Sequence, residues 1–217
     1  AALLGNAVMA RGTRSLAAPP AAAPARGEGF RARDFAFGLL GYLMFGLGYI
    51  GYMTFIVTLL REQGVGGAVI VAFYVLLGAG VIASSWLWAP LLQRYRGGQP
   101  LAVLDALLAV ATLLPVASAH PVAVFASGAL FGAVFLSVVA STTVLVRHNL
   151  PPAAWPAGIA AFTIVFAGGQ IVGPVLVGWV ADGPGGLVRG LALSAGVLAL
   201  GALLASRQRA LPNAPAH

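Results

Sequence analysis

The amino-acid sequence predicts an all-α membrane protein, a bundle of six transmembrane helices. Three observations carry that prediction. Only 8% of the 217 residues are charged and 60% are hydrophobic, whereas about a quarter of a soluble domain's residues carry charge. Six apolar runs reach or approach the roughly 20 helical residues that cross a hydrocarbon core. The arginines between those runs alternate from one side to the other, as a membrane topology requires. Backbone in lipid must satisfy its own hydrogen bonds, which admits only helices or closed barrels. Long continuous runs without period-two alternation are helices.

Taken in order, residues 1–10, "AALLGNAVMA", are too short for a signal-peptide core, and basic residues follow them instead of preceding them. They read as the end of a preceding transmembrane helix, so the chain is expected to be a fragment. Residues 11–34 are rich in Ala and Pro, polar at both ends and without an apolar face, as a linker is. The six-helix domain covers residues 35–206, with spans at 35–60, 67–89, 100–119, 121–146, 157–181 and 187–206. Asp105 is the one acid well inside a span, and Arg189 lies near the start of the sixth, where its stem can snorkel. The connections "REQGVG", "PLLQRYRGGQ", His120, "RHNLPPAAWP" and "DGPGGLVRG" are short, which predicts that sequence neighbours pack antiparallel. Residues 207–217 read as a disordered cytoplasmic tail.

Arginine placement gives the orientation. Arg11, Arg14, Arg26, Arg31, Arg33, Arg94, Arg96, Arg147, Arg207 and Arg209 fall on one side, and only Arg61 and Arg189 on the other. The richer side is the cytoplasmic one, so both ends of the chain are expected in the cytoplasm and the bundle in the cell (inner) membrane. Trp86 and Trp88 near one face and Trp179 near the other suit interfacial anchoring.

The composition also excludes chemistry. With no Cys there is no disulfide framework, thiolate metal site or Cys nucleophile. His120, His148 and His217 stand in loops or the tail without partners, so no catalytic residue, metal set or cofactor is nominated. The net charge of +7 gathers at one membrane face, which implies a lipid bilayer and no nucleic acid.

The fifth span contains "GGQIVGPVLVG", residues 168–178. No strand precedes it and no GK[ST] follows, so it is not a nucleotide loop. Gly169 and Gly173 form a small-xxx-small face that admits a neighbouring backbone, and Pro174 removes a hydrogen-bond donor and invites a bend. The pattern Gly169-x3-Gly173-Pro174-x3-Gly178 resembles the glycine-proline helices of major facilitator superfamily transporters. "APLLQRYRGG" is similar to that superfamily's G-x3-D-R-x-G signature, with Ala89 in place of the Gly, Gln93 in place of the Asp and one extra residue before Gly97. "GYLMFGLGYIGYMTF", "VVASTTVLVRHNLPPAAWPAGIAAFT" and "GQIVGPVLVGWVAD" together resemble the YbfB/YjiJ-type branch. The resemblance implies that residues 35–206 are the C-terminal six-helix half of such a fold and residues 11–34 its central cytoplasmic loop. It also implies secondary active transport of a small organic solute, by alternating access around a midplane site shared with an N-terminal six-helix half.

Against that expectation stand a non-transporting polytopic scaffold and a channel or permease subunit. The loops are too short for a re-entrant filter, and "PLLQRYRGGQ" is shorter than a usual permease coupling segment; a scaffold stays open.

Candidate contacts follow from helical spacing. Tyr42, Phe45, Tyr49 and Tyr52 recur at i, i+3, i+7 and i+10, one aromatic stripe. The resemblance implies that this span lines the central cavity, and plain helix packing is the competing account. Thr163, Phe166 and Gln170 share a face of the fifth span, where Gln170 serves either a solute or an interhelical hydrogen bond. Ser137 and Ser141 lie one turn apart on the fourth, with hydroxyls that can bond back to the preceding turn. An acid inside a membrane is a functional hypothesis, and pairing of Asp105 with Arg94 or Arg96 is the competing one. If transport is proton-coupled, the titrating group is Asp105 or lies in the other half.

Overall fold

The computed structural model describes residues 29–183 and 185–212. The helix end expected at 1–10, most of the 11–34 loop and the last five residues lie outside that range. The described chain is helical, with six long apolar helices and no strand. After a 3-10 turn at Ala32–Phe35, they are α1 (Ala36–Glu62), α2 (Gly67–Leu87), α3 (Gln99–Ala117), α4 (Pro121–Asn149), α5 (Trp155–Ala181) and α6 (Gly186–Ser206). A short helix, Ala89–Arg94, continues α2 beyond Trp88. Pro100, Pro121 and Pro156 stand in the first turns of α3, α4 and α5, where a missing N–H costs nothing and the fixed φ suits the helix. Pro115 and Pro174 lie inside α3 and α5 without interrupting either helix. Gly64, at φ +79°, makes the turn between α1 and α2 in a conformation that L side chains rarely adopt.

The packing does not follow the loops. Of the five consecutive pairs, α3 and α4 pack extensively and α5 and α6 in part, whereas α1 and α2 hardly touch. The extensive partnerships are α1 with α6 and α5, α4 with α2 and α3, and α3 with α6. The expectation of antiparallel sequence neighbours therefore fails for most of the bundle. In lipid no hydrophobic force draws adjacent helices together, and association follows small residues that let backbones close. Those residues are visible at each seam. A Cβ on Gly46 would stand 2.8 Å from the Phe166 carbonyl oxygen of α5, and one on Gly80 2.8 Å from the Ala133 nitrogen of α4. A Cβ on Gly41 would lie 3.1 Å from the Gly201 carbonyl oxygen of α6.

The partnerships also repeat. The first three helices relate to the last three as α1–α5 to α4–α2 and α1–α6 to α4–α3, with α3–α6 between the halves. Successive spans alternate in direction, so α1 and α4 run oppositely and the repeat is inverted, an arrangement common in transporters. α1 and α4 hardly approach as backbones. Aromatic rings fill the space between them. α2 and α5 are the least covered spans, with 17% of their apolar windows buried against 50% for α1.

Candidate functional site

The aromatic stripe of α1 sits where α1, α4 and α5 converge. Tyr42, Phe45, Tyr49 and Tyr52 are all buried. Phe166 of α5 lies nearly parallel to three of them: ring centroids are 5.0 Å from Tyr42, 5.4 Å from Phe45 and 5.5 Å from Tyr49, with interplanar angles of 21°, 12° and 17°. From the α4 side, Phe135 reaches Tyr49 at 5.3 Å. Offset aromatic pairs contribute about 0.5–1.5 kcal/mol each beyond their burial, so the set is a stiff wall. Its outer members, Phe166, Phe135 and Gln170, are only half-buried.

One polar contact interrupts this wall. Gln170 donates its side-chain amide to the Tyr49 hydroxyl. Tyr49 is the central residue of α1, with thirteen helical residues on either side, so the pair lies at mid-depth. A polar group there needs a partner, and each supplies the other's. The tyrosine retains its proton to donate and the amide its oxygen to accept. At this position the chain offers the Tyr49 O–H and the second Gln170 N–H as donors, and the Gln170 amide oxygen as acceptor, to a third molecule.

The remaining candidates are placed elsewhere. The Tyr52 hydroxyl is 2.6 Å from Ser127 Oγ, which itself donates to the Ala111 carbonyl oxygen at 2.7 Å. Tyr52 therefore donates to Ser127, in a chain that ties α1, α4 and α3 inside the bundle, and its hydroxyl is spent there. Ser137 Oγ donates to the Ser84 carbonyl oxygen of α2 at 3.0 Å. Thr163 is exposed and bonds back to the Ile159 carbonyl oxygen at 2.9 Å; Ser141 and Thr142 bond back likewise. Trp88, expected at the interface, turns its indole N–H to the Ala133 carbonyl oxygen of α4 at 2.6 Å.

In α5, Gly169 and Gly173 press on α1. A Cβ on Gly169 would meet the Leu43 carbonyl oxygen at 2.8 Å and the Leu47 nitrogen at 2.9 Å, and one on Gly173 the Leu47 carbonyl oxygen at 2.6 Å. Gly178 has no such neighbour, its nearest contact being Phe55 at 3.9 Å.

Asp105 does not pair with Arg94 or Arg96. It is fully buried, and neither carboxyl oxygen has a hydrogen-bond partner among the described residues. It faces the seam of α1 and α6, where a Cβ on Gly201 would lie 3.1 Å from Oδ2. Both arginines are exposed in the connection before α3, whereas the Asp105 carboxyl is enclosed. Arg94 instead stands 5.7 Å from the Tyr95 ring centroid.

Sequence reasoning missed two amides at the arginine-rich end. Gln208, 4% exposed, accepts from the Gly38 nitrogen at 3.0 Å and donates to the Asp34 and Arg209 carbonyl oxygens, each at 2.9 Å. Asn149 donates to the Arg96 carbonyl oxygen at 2.7 Å and accepts from the Leu211 nitrogen at 2.7 Å. Residues 207–212 are thereby sewn to α1, α4 and the connection before α3, contrary to the disordered tail expected. An amide among arginines after an apolar run reads as solvated, and only the fold shows what it meets. Among the described residues no cluster of His, Cys, Asp or Glu could hold a metal ion.

A family model described as the uncharacterised MFS-type transporter YbfB matches residues 2–206. No curated protein and no solved structure matches the chain.

Proposed function

Because the chain belongs to the family of the MFS-type transporter YbfB, matched over residues 2–206, we propose that it is the C-terminal half of a secondary active transporter for a small organic solute. The solute binds at mid-depth against the Tyr42, Tyr49 and Phe166 rings, with its polar group on the free donors and acceptor of the Tyr49–Gln170 pair. The observation that carries this reading is that pair: two neutral hydrogen-bonding groups at the centre of a half-buried aromatic wall. No charged side chain contributes to those contacts, which favours an uncharged, flat or amphipathic solute.

The other half packs against α2 and α5, whose apolar faces are the least covered. Alternating access then moves one half against the other around the fixed site, while the glycine seams of α1 hold α5 and α6 close within this half. Both ends of this half face the cytoplasm of the cell membrane, as the arginine distribution supports. If transport is proton-coupled, the titrating group is Asp105 or lies in the other half.

The test is reconstitution. Proteoliposomes loaded with a mixture of neutral organic solutes, and assayed by mass spectrometry of the external medium, should release one chemical class when this chain is joined to its N-terminal half. The chain alone should insert without flux. Equal flux from the chain alone would remove the two-half reading, and no flux from the joined protein across all classes would favour a scaffold.

A further inference from the structure

At the arginine-rich end, the start of α1 and the segment after α6 enclose a recess of about 600 Å³. Among the described residues, Arg33, Arg207 and Arg209 line it against a single acid, Asp34, which lies 3.6 Å from Arg33 Nε. The recess is fixed by buried hydrogen bonds. The side chain of Gln208 holds the arginine-bearing segment over the first turn of α1 through the Gly38 nitrogen, and its backbone carbonyl accepts from the Gly98 nitrogen at 2.9 Å, which ties the same segment to the turn before α3. Apolar surface continues from its mouth along both helices. Phe37, itself part of the lining, is followed one turn later on α1 by Leu40; on α6, Leu200 and Leu203 precede Arg207 on the same face. All four are exposed, between 44% and 67%.

We propose that this recess binds the phosphate-bearing headgroup of an anionic phospholipid, from the leaflet on the arginine-rich side. Guanidinium groups match phosphate geometry with paired N–H donors, and basic pockets at the membrane surface hold acidic headgroups. A free phosphate would use the arginines but leave the apolar stripes uncovered. A lipid fills both, with acyl chains along Phe37 and Leu40 on one side and Leu200 and Leu203 on the other. The site is separate from the Tyr49–Gln170 wall and does not depend on the transport reading.

The experiment is native mass spectrometry of the full chain in mixed micelles holding equal phosphatidylglycerol and phosphatidylcholine. Phosphatidylglycerol should be retained in preference, and high salt should reduce that preference. Arg33→Gln, Arg207→Gln and Arg209→Gln should each lower retention roughly fivefold, whereas Arg61→Gln at the opposite end should leave it unchanged. All three arginines are exposed, so their replacement breaks no core contact. A variant carrying all three replacements should lose the preference; if it fails to fold, Arg209→Gln alone and the salt series on the unaltered chain decide. The proposal is overturned by equal retention of the two lipids, by a preference that survives loss of the arginines, or by displacement of the lipid with inorganic phosphate alone.

Discussion

Gln170 of α5 hands its amide proton to the Tyr49 hydroxyl of α1 across a seam where the two backbones touch at Gly46 and Gly169. The contact thus belongs both to the helix interface and to the proposed solute wall, and the two roles separate in kinetics. In the transporter joined to its N-terminal half, Gln170→Leu and Tyr49→Phe should each raise the KM of the solute identified by reconstitution. The rise should be about fivefold, for a neutral hydrogen bond of about 1 kcal/mol. The double variant should fall short of the sum, because the residues share one contact. Unchanged KM with a lowered melting temperature would make the pair interhelical glue, typically worth about 0.6 kcal/mol in a membrane.

Neighbouring glycines should behave oppositely. A Cβ on Gly168 meets nothing within 4 Å, whereas one on Gly169 meets three backbone atoms of α1 between 2.8 and 3.0 Å. Backbone cannot yield as a side chain does. Gly169→Ala should therefore destabilise the bundle by about 1–3 kcal/mol, as overpacking does, while Gly168→Ala should be neutral or slightly stabilising. Thermal melting in detergent measures both. Equal melting temperatures would mean that α1 and α5 are not seated this closely.

These residues also show how far the sequence could be read. Six spans, the glycine face and the placement of Tyr49 and Gln170 near mid-depth were legible, because lipid imposes a length and small residues at a spacing of four mark a close approach. Partner choice was not. Helices that are apolar all round carry no moment to say which neighbour they meet, so short loops suggested sequence neighbours where the glycines select α1–α5 and α2–α4. The same blindness put the Tyr52 hydroxyl in the cavity: a stripe at helical spacing does not show that Ser127 waits opposite it. Asp105 was visible as an acid in a span, but its pairing depended on which way α3 turns.

Removing the Gln208 side chain should loosen the arginine-rich end. Gln208→Ala would leave the Gly38 N–H and the Asp34 carbonyl without their partner, at about 1–3 kcal/mol for an unsatisfied buried group. Hydrogen exchange should accelerate at Gly38 and its neighbours while the amides in the middle of α1 stay protected. Uniform protection in the variant would show that the segment after α6 does not clamp α1.

The topology can be checked without background labelling, since the chain has no native Cys. Gly64 is a poor site because of its positive φ, but Gly66 has open space around a Cβ, and Ala210 is exposed at the other end. An impermeant maleimide applied to intact cells should label Gly66→Cys and spare Ala210→Cys. Labelling in the reverse pattern would invert the bundle and contradict the arginine rule.

Asp105 supplies the last test. Its carboxyl is enclosed by the α1–α6 seam, with no ion pair and no hydrogen bond among the described residues. Breaking a buried ion pair typically costs about 3–5 kcal/mol, so a small effect of Asp105→Asn on melting temperature would agree with the absence of a pair. Asparagine keeps the volume of the side chain but cannot carry a proton in and out of the seam. If Asp105 is the coupling group, the variant should lose accumulation driven by an imposed pH gradient and keep solute exchange at equilibrium. That separation matters, because a variant damaged in its fold or its solute site would lose exchange as well. Gradient-driven accumulation equal to that of the unaltered protein would remove Asp105 from coupling and leave the proton path, if there is one, to the other half.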